Sequence, residues 1–100
     1  MDEARLILGD RPIADLSDLR PDMPWFVARV TTLDGYAEVE PLLRRERELA
    51  EADAFDADAW EARWQELWDK GLALSLPDGH RLERDFAVHV YDDGTARPRY

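Results

Sequence analysis

Cysteine and asparagine are both absent from this 100-residue chain, and Lys70 is the single lysine among 13 basic residues. Without cysteine there is no disulfide, no thiolate metal site and no cysteine nucleophile, a usage that suits a reducing compartment. No apolar run approaches the ~20 residues of a membrane-spanning helix. The start, MDEARLIL, is acidic where a secretory signal carries basic residues, so the expected location is cytoplasmic. The five glycines, Gly9, Gly35, Gly71, Gly79 and Gly94, stand singly where turns and caps are expected, and no glycine-rich phosphate loop exists. Positive charge is also short: 23 acidic residues against 13 basic ones leave a net charge of -10. That balance repels phosphate backbones and anionic lipid heads, which makes nucleic acid and membrane surfaces poor partners. His80 and His89, the only histidines, fall on different expected elements without metal-ligand spacing, and neither Ser17 nor Ser75 has a nucleophile-elbow context. No cofactor, metal or catalytic motif is implied.

What is present is enough to fold. Hydrophobic residues make up 45% of the chain, four tryptophans among them. A chain of this length fits one domain that buries roughly two-thirds of its unfolded surface. In ARLILGDRPIADL two apolar runs flank Gly9-Asp10, which suits a type II′ hairpin. Pro12 lacks a ladder donor, so the returning strand is expected to be short or at an edge, and SDLRPDMP to be loop. WFVARVTT, from Trp25, alternates as a strand. Tyr36, Val39, Leu42, Leu43, Leu49 and Ala50 share one side of a helical wheel, with Pro41 tolerated in the first turn. A second helix follows: Asp56 is its N-cap, Phe55 and Trp60 form a hydrophobic staple, and Lys70-Gly71 stop it. LALSL and DFAVHVY then read as half-buried strands, and Asp92 to Gly94 turn the chain into TARPRY, where Pro98 again argues for an edge. The order ββ-β-αα-βββ indicates an α+β fold: an antiparallel sheet of about five strands with two adjacent helices packed on one face.

Trp60, Trp64 and Trp68 lie four residues apart, so their rings drift slowly around one side of the second helix, joined by Leu67. A core stripe is the expected role. The alternative is that Trp60 or Trp68, at one margin of the stripe, emerges as a partner-binding anchor. Glu46 falls near the centre of the first helix's apolar arc, where a carboxylate must pair with a base, stay wet or carry a proton. An arginine-paired structural glutamate is expected there, with a general base or ligand contact as the alternative. Asp53, Asp56 and Asp58 lack the central glycine and final glutamate of a calcium loop and read as capping and solvation.

The acidic residues crowd the helices. A solvated face accounts for most of them; the sharper reading is an electrostatic docking surface, with Asp53, Asp56, Asp58 and Glu61 as partner-binding candidates for a basic protein. RLILGDRPIADL, PWF, AWEARWQEL and the closing RPRY give the chain a general resemblance to small acidic uncharacterised proteins of high-GC actinobacteria. That resemblance implies a bacterial, cytoplasmic domain and no specific site. The leading functional reading is a non-catalytic protein-binding domain of the inhibitor or immunity type. The alternatives are a small-ligand-binding protein or minor enzyme using Trp25, His89 and Tyr91 on the sheet face away from the helices, and a homodimer built on Trp25 and Val27.

Overall fold

The structure, a computed structural model, describes residues 3–100; Met1 and Asp2, part of the acidic start read above against a leader, lie outside them. Strand β1 (Ala4–Leu8) turns at Gly9-Asp10 into β2 (Arg11–Asp22), with Leu8 paired to Arg11 and Gly9 at φ +65°, as the hairpin expectation requires. β2 is neither short nor at an edge. Ile7 pairs with Pro12 but Leu6 with Ala14, so a bulge at Ile13 absorbs the proline, and the Ile13 carbonyl accepts from Leu33 N–H instead.

The stretch expected as loop is the continuation of β2. Ser17 pairs with Arg29 and Arg20 with Val27, so Asp18 and Leu19 together face one residue of β3 (Trp25–Thr32). Asp18 makes that second bulge by adopting φ +55°, a conformation aspartate tolerates better than most residues.

A 3₁₀ turn at Tyr36–Glu38 leads into α1 (Glu40–Ala50), with Pro41 in its first turn. In α2 (Ala57–Asp69), Asp56 Oδ1 accepts from the N–H groups of Asp58 and Ala59, at 3.0 and 3.2 Å. Phe55 meets Trp60 with ring centroids 6.0 Å apart, closing the staple. The helix stops at Gly71, whose φ of +104° suits glycine, and the Gly71 carbonyl accepts from Gly9 N–H, tying this corner to the first hairpin.

Four more strands follow: β4 (Leu72–Ser75), β5 (Arg81–Leu82), β6 (Ala87–Val90) and β7 (Thr95–Arg99). All pairings are antiparallel, in the order β5-β4-β1-β2-β3-β7-β6. Among the described residues the sheet therefore has seven strands, where the sequence suggested about five. Pro98 does not put β7 at an edge, since β7 lies between β3 and β6. Tyr91 N–H bonds the Thr95 carbonyl, and counting along the register places Val88 opposite Pro98 at a position where β6 asks for no donor. On its other side, pairing to β3 ends at Ala96.

The sheet curls, and the helices bridge its ends: α1 and α2 pack on each other, α1 on β6 and α2 on β4. Leu6, Leu16, Leu74, Val88 and Ala96 line the core with Val39, Leu43, Trp64 and Leu67 from the helical side. β4 and β6 are buried on both faces, not half-buried. Ala73 borders a small cavity beside Trp68, and His89 meets Glu46 of α1 directly. No helix among the described residues is long and apolar enough to cross a membrane.

Candidate functional site

Val39, Leu43 and Glu46 recur at helical spacing on the buried side of α1, and Glu46 is completely inaccessible to solvent. Its base is not an arginine. Glu46 Oε1 accepts the indole N–H of Trp60 at 2.5 Å and lies within hydrogen-bond distance, 2.7 Å, of His89 Nε2. Glu46 Oε2 has no partner. Taking a carboxylate out of water costs several kcal/mol, roughly, unless its partners repay it. Here two of them converge on one oxygen and fix the indole and imidazole in place.

His89 is 6% exposed, and it faces the helices, not the open sheet surface the sequence suggested. The reason is topological: β6 is the end strand, and α1 packs beside it. The three residues proposed for that face do come together. Trp25 stacks on His89 with centroids 4.7 Å apart, and Tyr91 meets His89 edge-on at 6.5 Å. Arg47 lies 5.0 Å above the Tyr91 ring while donating to the Val90 carbonyl, and Arg99 lies 5.9 Å from the Trp25 ring centre. Burial of the Tyr91 phenol, with Glu51 adding to it, pushes its pKa up.

Two adjoining cavities open beside this cluster and follow α2. The first, about 610 Å³, is walled by Trp25, Phe55, Trp60, Tyr91 and His89. The second, about 700 Å³, is walled by Met23, Trp64, Trp68, Phe86 and Tyr100. Trp60, Glu61 and Arg99 border both and form the saddle between them. Each volume is in the range of ordinary ligand sites, about 300–1,000 Å³. A separate cavity of about 290 Å³ lies between α1 and the β6–β7 turn, where burial and then Glu40 push the Tyr36 phenol up to about 12.

The tryptophan stripe is not uniformly covered. Trp64 is buried at 1% exposure, packed on Phe86 and Trp68, whereas Trp60 and Trp68 at the margins are only partly covered and border the groove. Asp53, Asp56, Asp58 and Glu61 are all exposed, and none forms an ion pair among the described residues. Sequence reasoning passed over Arg97 and Arg99 as site residues. Counting back from the Asp92–Gly94 turn would have put Arg97 opposite His89 and Arg99 opposite Ala87, on the face that Trp25 shares. No protein-family model, curated protein or solved structure matches the chain.

Proposed function

We propose that the chain is a non-catalytic protein-binding domain, of the inhibitor or immunity type, that docks a basic partner at the α1–α2 corner and the first turns of α2. One observation carries this reading: Asp53, Asp56, Asp58 and Glu61 stand exposed and unpaired around Phe55, itself 52% exposed. Elsewhere the acidic residues are largely answered from within: Glu38 by Arg11, Glu40 by Arg44, Glu66 by Arg63 and Asp69 by Arg84. A corner that keeps its carboxylates free presents an uncompensated negative field. Such a field speeds encounter with a positive surface and weakens as salt rises. An exposed aromatic ring inside that field supplies the apolar anchor that charge alone lacks. The buried Glu46–His89 pair also has a structural part to play, since it holds Trp60 and stacks against Trp25.

The test is affinity capture from a lysate of the source organism at low salt, eluted by a salt gradient, in parallel with a triple variant Asp53→Lys, Asp58→Lys, Glu61→Lys. Asp56 is kept because its carboxylate caps α2. A basic protein held by the native chain, released by salt and lost from the variant is the expected result. Retention that survives both charge reversal and high salt would sink the reading.

A further inference from the structure

The groove along α2 exposes more apolar surface than a free-standing domain of this size needs. Among the described residues, four large apolar side chains are substantially exposed; Met23 at 81%, Phe55 at 52% and Tyr100 at 40% border the groove, and Leu33 does not. Clustering of this kind marks an interaction surface, whereas scattered single residues do not. The charges fit one kind of occupant. Arg97 is engaged by Asp22, and Glu51 by Arg47. Among the described residues this leaves Glu61 and Asp85 as unpaired acids on the groove walls, with Asp53, Asp56 and Asp58 beyond one end, against Arg99 as the unpaired base. Arg99 is in turn drawn over the Trp25 ring.

The dimensions admit an extended segment. Trp60, Trp64 and Trp68 succeed one another by one turn, an advance on the order of 6 Å each. Alternate side chains of an extended strand are spaced about 6.7 Å apart. The saddle at Trp60, Glu61 and Arg99 splits the groove into two apolar compartments, one on either side.

Resting on the protein-binding reading above, we propose that the groove receives an extended segment of the basic partner in which large apolar side chains alternate with lysine or arginine. One apolar side chain enters the compartment of Trp25, Phe55 and Trp60. The next enters that of Met23 and Tyr100. The basic residue between them crosses the saddle beside Glu61, and Arg99 donates to a carbonyl of the segment's backbone.

The probe is an acetylated and amidated pentapeptide alternating lysine with phenylalanine, compared with a counterpart carrying alanine in place of phenylalanine. Intrinsic tryptophan fluorescence reads the titration, since the peptide contributes no tryptophan and all four of the chain's tryptophans border the groove. The phenylalanine peptide is expected to bind about tenfold or more tightly than the alanine peptide. The double variant Met23→Ala, Phe55→Ala is expected to reduce that difference severalfold, and because both side chains are exposed its fold, checked by circular dichroism, is retained. Equal binding of the two peptides would overturn the groove while leaving the acidic corner as a docking surface. No binding of either at low salt, or a preference untouched by the double variant, would overturn it as well. Lysate capture by a Met23→Ala chain, which leaves Phe55 and the acidic corner intact, separates this result from the corner's own test: a weaker hold on the same basic protein supports the groove, and an unchanged hold overturns it.

Discussion

Glu46 shows most directly how much rests on single atoms, because one of its oxygens holds both Trp60 and His89. Replacing it with alanine strands a part-buried indole N–H and a buried imidazole together, and is expected to cost about 3–5 kcal/mol. Glutamine keeps an amide oxygen for Trp60 and is expected to cost about 1–3 kcal/mol. Urea unfolding followed by tryptophan fluorescence orders the two variants, and equal small losses would mean the cluster contributes little to holding the fold. The position of this carboxylate was legible in the sequence, because the wheel of α1 puts it in the apolar arc. Its partner was not: His89 lies 43 residues further along, and nothing local links the two. An arginine was the natural expectation on chemical grounds, but α1 packs against β6, and His89 is the polar side chain that β6 presents there.

At the scale of elements, the parts with strong local signals formed as their sequences direct. The Gly9-Asp10 hairpin, β3, the proline-led start of α1 and both ends of α2 belong to this group. The Asp56 cap can be weighed: Asp56→Ala is expected to lower stability by about 1 kcal/mol and Asp56→Asn by much less, since either side-chain oxygen can accept the N–H groups of the first turn. Thermal melts monitored by helical circular dichroism distinguish the pair. The illegible elements fail for physical reasons. β2 runs through two prolines and an αL aspartate because bulges at Ile13 and Asp18 take up what a regular ladder would refuse. β5 has two residues, too few for any periodicity to show. Pro98 is tolerated inside the sheet because it falls where β6 needs no donor and where β3 has already stopped pairing.

For the whole molecule, charge is the quantity to weigh. Its ion pairs are mostly exposed, and pairs of that kind contribute about 0–1 kcal/mol each. Against them stands the mutual repulsion of a net charge of -10. Raising salt from about 0.01 M to about 0.15 M shortens the screening length from about 30 Å to about 8 Å. Repulsion across the molecule is damped more than contacts between neighbours, so the thermal midpoint is expected to rise over this range in differential scanning calorimetry. A fall would mean the ion pairs outweigh the self-repulsion. The acidity itself was plain from composition; that the groove beside it would join Met23, Phe55 and Tyr100 was not, because Met23 lies between β2 and β3, Phe55 just before α2 and Tyr100 after β7, far apart in sequence.

The strand order also settles how the sheet ends. On one side it finishes in β5, only two residues long; on the other it finishes in β6, with α1 packed against it and the Arg47 guanidinium on the Val90 carbonyl. A seven-stranded sheet ordinarily carries two rows of unused backbone donors and acceptors, the template on which identical chains zip together into fibrils. Here one row is only two residues long, and the other has α1 packed beside it with the Val90 carbonyl already bonded to Arg47. Open-ended polymerisation through backbone pairing is therefore disfavoured at both ends of the sheet.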